Sequence, residues 1–186
     1  MDDLLKKDID FWLKKISEKN SESALKSLYE YYYGKLMRFV LIYIKSEQVA
    51  EEIIGDVFLS IWENRKSIPE IKNFNAYIYT MAKNMSIDYL RKNKLSFEKI
   101  EDIPFDLYFR TETTPEDDLI SQEQIKRLDE AIETLPNQCK MAFKLIREDN
   151  LKYKDAAEVL NVSVKTLEAH MTKAIKMLRQ AINLLI

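Results

Sequence analysis

Two glycines, four prolines, one cysteine and one histidine are all that 186 residues contain of these types, and each scarcity excludes something. Against average usage of about 7% Gly and 5% Pro, little is present to break a helix, while Leu, Lys, Glu, Ala and Ile are plentiful. The composition predicts an all-α fold. The lone Cys139 excludes an internal disulfide, and one Cys with one His falls short of the ligand count of a zinc site. Cys139 reads as a buried thiol. The opening "MDDLLKKDIDFWLKKI" lacks the apolar core of a signal peptide, and the longest apolar run, Phe39 to Ile44, is far too short to span a bilayer. The expectation is a cytoplasmic protein with no membrane insertion. A nucleophile with its base, a paired acid and base in a cleft, and a phosphate loop are all missing, so the reading is of a non-enzyme without cofactor or metal.

What is present is enough apolar content, 46%, for a real core, and a net charge of −2 that hides segregation. From 83 to 94, Lys83, Arg91, Lys92 and Lys94 stand against Asp88, a balance of +3. From 163 to 186, Lys165, Lys173, Lys176 and Arg179 stand against Glu168, again +3. Between them, residues 98 to 123 carry nine acidic and two basic side chains. Two mildly basic pieces are thus separated by an acidic bridge.

The prolines punctuate the pattern at 69, 104, 115 and 136. In "AEEIIGDVFLSIWENR", Ile53, Val57, Ile61 and either Ile54 or Phe58 share one helical face, with Gly55 inside the pattern as a sign of close helix packing. Residues 75 to 92 form another helix, with Ile78, Met81, Ala82, Met85 and Tyr89 as its apolar stripe. The acidic stretch lacks periodicity and reads as a linker. Helix resumes at "TPED", where Thr114 can cap, Pro115 suits the first turn and Asp117 completes a capping pattern. The organisation expected is two small helical domains, 1–94 and 114–186, joined by a linker at 95–113.

The C-terminal stretch "YKDAAEVLNVSVKTLEAHMTKAIKML" predicts a short helix from Tyr153 to Leu160, a left-handed turn at Asn161, and a longer helix capped by Ser163. Val164, Leu167, Met171, Ile175 and Leu178 would form its inner face, and Lys165, Thr166, His170, Lys173 and Lys176 its outer one. This is the pattern of a helix-turn-helix, whose second helix lies in the DNA major groove. A lysine-rich helix face is otherwise a solvated surface, and helical hairpins of similar spacing occur in plain bundles.

Three separated stretches, "DVFLSIWENR" at 56–65, "NFNAYIYTMAKNMSIDYLRK" at 73–92 and "LPNQCKMAFKLIREDNLKYKDAAEVLNVSVKTLEAHMTKAIKMLR" at 135–179, together resemble the extracytoplasmic-function sigma factors of bacterial RNA polymerase. The resemblance implies a region 2 domain that binds the polymerase core and captures the minus-ten element. It implies equally a region 4 helix-turn-helix domain for the minus-thirty-five element. Its implied partners are core polymerase, promoter DNA and an anti-sigma factor.

On this resemblance, Glu51, Glu52, Asp56 and Trp62 would meet the polymerase, with Phe58 either an anchor beside Trp62 or plain core. Asn73, Phe74 and Asn75 would surround an unstacked minus-ten base, or Phe74 would merely pin the loop to the domain. Lys83, Asn84, Arg91 and Lys92 would follow the adjacent backbone. Ser163, Lys165, Thr166, His170, Lys173 and Lys176 would face the minus-thirty-five element. Asn161 stands where Gly is frequent in the family, and His170 where an arginine is common. The rivals are a helix-turn-helix regulator without sigma activity, which would need a sensing domain, and a helical adaptor that binds only protein.

Overall fold

The computed structural model describes residues 2–93 and 128–183, within two compact units, Met1–Ile100 and Glu101–Ile186. All regular structure among the described residues is helix or turn. The expected linker at 95–113, the capping pattern at Thr114 to Asp117, Lys94, and hence the domain limits drawn beside them, lie outside the described residues.

The N-terminal unit consists of α1 (Asp2–Lys19), α2 (Glu22–Val40), α3 (Glu47–Glu63), a 3-10 turn (Arg65–Glu70) and α4 (Phe74–Lys92). Asn20, at φ 49°, turns the chain between α1 and α2, and the Ser21 hydroxyl accepts from the Ala24 amide at 3.3 Å to cap α2. α1 packs on α2 and the 3-10 turn, α2 on α3 and α4, and α3 on α4. Between them Ile16, Leu28, Tyr32, Leu36, Ile54, Ile61, Ile78 and Tyr79 are fully buried, each aliphatic side chain contributing about 1.5–3 kcal/mol by leaving water.

The inner face of α3 is as expected: Ile53, Ile54, Val57, Phe58 and Ile61 are all buried. On α4 the core face is rotated from the expected stripe toward Tyr79, Ser86 and Leu90, leaving Met81, Met85 and Tyr89 half-buried. Ser86 can be enclosed because its hydroxyl donates to the Ala82 carbonyl at 2.8 Å, so no polar group is orphaned.

In the C-terminal unit, helical residues 128–133 end before Pro136. α5 (Asn137–Phe143) continues into one π turn (Lys144–Glu148), α6 spans Tyr153–Leu160, and α7 spans Val164–Asn183. Ala131, Ile132, Leu135, Cys139, Ala174 and Leu178 form a core cluster. Burial pushes the Cys139 thiol above its ordinary value, with nearby Lys173 pulling it back. Beside this core Lys144 is buried and lies 3.4 Å from Glu133 and 3.9 Å from Glu148, while Lys140 is 2.9 Å from Glu133.

Candidate nucleic-acid and protein interfaces

Burying one face of α3 fixes what the other presents. Glu51, Glu52, Gly55, Asp56, Leu59 and Glu63 are exposed, and Trp62 is half-buried at the edge. The Trp62 indole lies under the Arg65 guanidinium, 4.5 Å from ring centroid to carbon. Arg65 itself is tied to the Trp62 carbonyl at 2.7 Å and the Asn20 side chain at 2.6 Å. An open groove beside it is lined by Glu22, Leu25, Phe58, Leu59 and Trp62.

Tyr33 donates to the Glu51 carboxylate at 3.1 Å, and Tyr29 packs edge-on to Phe58 at 4.9 Å. Burial first, then Glu51, holds both phenols above their ordinary value. The surface is therefore an apolar strip with an acidic border, suited to a basic partner.

Of the two readings of Phe58 the structure supports the core, at 5% exposed, and two points depart from the sequence reading of this helix. Leu59 was not anticipated, yet it is 54% exposed. A leucine out of phase with Ile53, Val57 and Ile61 was the available signal. Gly55 does not mark close helix packing: it is exposed, and a Cβ built on it meets nothing within 4 Å.

At the start of α4 the expected loop is already helix. Asn73 is its N-cap, accepting from the Ala76 amide at 3.2 Å. Phe74 is 7% exposed and edge-on to Tyr32 at 6.0 Å, so of the two readings the structure supports the pin; a stacking role for Phe74 conflicts with its burial. Asn75 is exposed and accepts a hydrogen bond from the Tyr32 hydroxyl.

Asn84, Arg91 and Lys92 are exposed farther along α4. Arg91 pairs with Asp88 at 2.9 Å, which offsets its charge locally. The rotation that brings Leu90 inward carries Lys83 to the edge of the core, where burial lowers its ammonium below the usual value. Ile87, 43% exposed, lies between these polar groups.

These contacts decide which substitutions can probe the minus-ten assignment. Alanine at Asn73 removes a cap, at about 1 kcal/mol, and alanine at Asn75 removes an acceptor of the Tyr32 hydroxyl, at about 0.5–1.5 kcal/mol. Asn73→Ser and Asn75→Asp keep a side-chain acceptor at each position. Both variants should melt like the wild type and form closed complexes normally, yet give less permanganate-reactive open complex on duplex promoters. A pre-melted bubble should restore much of the activity. Full opening on duplex DNA would confine Asn73 and Asn75 to holding the fold.

In the C-terminal unit the expected turn is present. Asn161 is left-handed at φ 56°, ψ 46°, the Val162 amide donates to Ala157 O at 3.0 Å and the Asn161 amide to Glu158 O at 3.1 Å, the paired bonds of a Schellman ending. Ser163 Oγ then accepts from the Thr166 amide at 3.0 Å, capping α7, and shares a 2.8 Å bond with the Thr166 hydroxyl. Leu167, Met171, Ala174 and Leu178 are buried.

Lys165, Thr166, Lys173 and Lys176 are exposed outside, with His170 half-buried at the edge. Ala169 and Thr172 share this outer face and were not anticipated. Val164, expected inside, is 40% exposed because the turn ends just before it and no earlier helical turn covers it. Among the described residues no cluster of His, Cys, Asp or Glu could hold a metal ion, and no helix is long and apolar enough to cross a membrane.

Comparison with known proteins assigns each unit. The pattern described as sigma-70 region 2 matches residues 28–95, and that described as sigma-70, region 4 matches residues 125–178. Together they take in about two thirds of the chain. The ECF RNA polymerase sigma factor SigM of Bacillus subtilis is 24% identical over 161 residues, covering 86% of this chain and 96% of that protein. The ferric citrate uptake sigma factor FecI of Escherichia coli is 25% identical over 153 residues, covering 82% and 87%.

Among solved structures, RpoE in complex with the anti-sigma factor NepR from Bartonella quintana aligns with a TM-score of 0.61 at 16% identity, over 85% of this chain and 96% of that one. CnrH in complex with the cytosolic domain of CnrY aligns with a TM-score of 0.59 at 15% identity, over 93% and 96%. These two share the fold.

Proposed function

Because the chain belongs to the extracytoplasmic-function sigma factors, which direct bacterial RNA polymerase to promoters and aid their opening, we propose how its surfaces divide that work. The outward face of α3, with Glu51, Glu52, Asp56, Leu59 and Trp62, docks on core polymerase. The start and polar side of α4, from Asn73 and Asn75 through Lys83 and Asn84 to Arg91 and Lys92, holds the separated minus-ten strand. Phe74 supports that site from within the core. Ser163, Lys165, Thr166, His170, Lys173 and Lys176 face the minus-thirty-five element.

The observation that carries this reading is the capped α7, which follows a left-handed Asn161 and carries three exposed lysines, Lys165, Lys173 and Lys176, opposite its buried face. Lysines give affinity without sequence choice, through phosphate contact and counterion release. Thr166 and His170, beside them, have the donors and acceptors that base edges require. An overall charge of −2 leaves the free protein a weak DNA binder, so polymerase association supplies the missing affinity.

The domains are taken as 1–94 and 114–186 with 95–113 between them, and the protein works in the cytoplasm without catalysis of its own. An anti-sigma factor is a further partner, by analogy of fold with RpoE and CnrH, each solved with a protein partner.

Holoenzyme reconstituted with purified core polymerase, challenged with promoters randomised upstream, tests the assignment. Lys165→Ala and Lys173→Ala should weaken all selected promoters alike and lower the salt slope by about 1 each. Thr166→Ala or His170→Ala should change which bases are selected, at about 1–3 kcal/mol for a good base contact. Upstream DNA left unprotected in footprints of the holoenzyme would overturn it.

A further inference from the structure

Both glycines of the chain lie inside helices, Gly34 in α2 and Gly55 in α3, while asparagines occupy three left-handed turn positions, Asn20, Asn150 and Asn161. A glycine in a helix interior costs stability relative to alanine, because the unfolded chain has more backbone freedom to lose. Close packing is the usual offset. Gly55 has none, since an added Cβ would meet nothing within 4 Å.

Its neighbours on the helix surface are Glu51 and Glu52 one turn before, Phe58 and Leu59 one turn after, and Trp62 two turns after. The smallest residue therefore sits amid an acidic-bordered apolar surface that includes Leu59, 54% exposed, and runs into the groove beside Trp62.

We propose that core polymerase makes its closest approach to this protein at Gly55. A basic segment of the partner, matched to Glu51, Glu52 and Asp56, rests against bare helix backbone there, with Leu59 and Trp62 beside it. A methyl group at position 55 stabilises the free protein and lifts the partner off these contacts. This inference rests on assigning the α3 surface to core polymerase.

The test is Gly55→Ala in the full chain, read by thermal unfolding and by titration against core polymerase. The variant should melt higher by about 2–8 °C and bind core at least about tenfold more weakly. Gly34→Ala is the control, its Cβ meeting only Arg38 Nη1 at an ordinary 3.8 Å; it should also melt higher but bind core as the wild type does. Wild-type core affinity in Gly55→Ala, or weaker binding without the gain in melting temperature, would overturn the close approach. Should Glu52→Lys with Asp56→Lys lose binding while Gly55→Ala keeps it, the α3 surface still meets polymerase and only the inference fails. Should all of these variants bind normally, the surface assignment fails and the inference with it.

Discussion

Lysine in place of both Glu52 and Asp56 is expected to weaken binding to core polymerase roughly a hundredfold while leaving helix content and melting temperature close to those of the wild type. Both side chains are exposed on the side of α3 opposite Ile54 and Ile61, so the core does not register the change. At the interface the same change turns two attractions into two repulsions, and like charges brought together across an interface cost several kcal/mol. The loss should shrink as salt rises from 0.05 to 0.5 M, because screening acts on the electrostatic part alone. Trp62→Ala should also weaken binding, but with little salt dependence, since its contribution is apolar. Titration of labelled protein with core at several salt concentrations gives both numbers. Unchanged affinity in the double variant would remove α3 from the polymerase interface.

The second large effect concerns stability. Glu133→Ala should destabilise the C-terminal unit by about 3 kcal/mol, at the low end of the cost of breaking a buried ion pair. The low end applies because Glu133 is 26% exposed and Lys144 keeps Glu148 at 3.9 Å. Lys144 is only 4% exposed along its side chain, so in low dielectric it registers the loss of one carboxylate even with Glu148 and Asp129 still near it.

Replacing the lysine as well, in Glu133→Ala with Lys144→Met, should recover much of the loss, because an apolar side chain of similar length needs no partner. Trp12 and Trp62 are the only tryptophans and both lie in the N-terminal unit. Tryptophan fluorescence should therefore melt unchanged while part of the helical circular dichroism melts earlier. A cost below about 1 kcal/mol would mean that the network contributes no more than an exposed pair.

This network also marks where sequence reading stops. Lys140, Lys144 and Glu148 follow one another at helical spacing, but Glu133 joins them only because the chain breaks at Pro136 and folds back, which no periodicity encodes. The same limit appears on α4. A stripe drawn through Met81, Met85 and Tyr89 scores well on hydrophobicity, yet the core takes Ser86 and Leu90 because the serine satisfies its own hydroxyl within the helix.

The turn, cap and outer face of α7 are more legible. Their determinants are local: a left-handed asparagine, a serine cap three residues before Thr166, and lysines out of phase with Leu167, Met171 and Leu178. On α3 the acids are readable by the same logic and Leu59 by its phase against Ile53, Val57 and Ile61, but the unpacked Gly55 is not, because only the folded surface shows what a Cβ there would meet. Asn73, read from the sequence as a loop residue, is the cap of α4, because a capping residue and a loop residue share the same chemistry until the helix beyond them is seen.

The N-terminal unit packs mostly between sequence neighbours, α1 on α2, α2 on α3 and α3 on α4, and topology of that kind folds in microseconds to milliseconds. Synthesis of the remaining half of the chain, at about 5–20 residues per second, takes several seconds or more. The α3 surface proposed to dock on polymerase is therefore complete on the ribosome well before α7 has been translated. On the proposed division of roles, a chain that terminated early would carry the surface for polymerase without the helix proposed to read the upstream promoter element, so translation arrest in the second half of the message would yield a competitor of the intact protein.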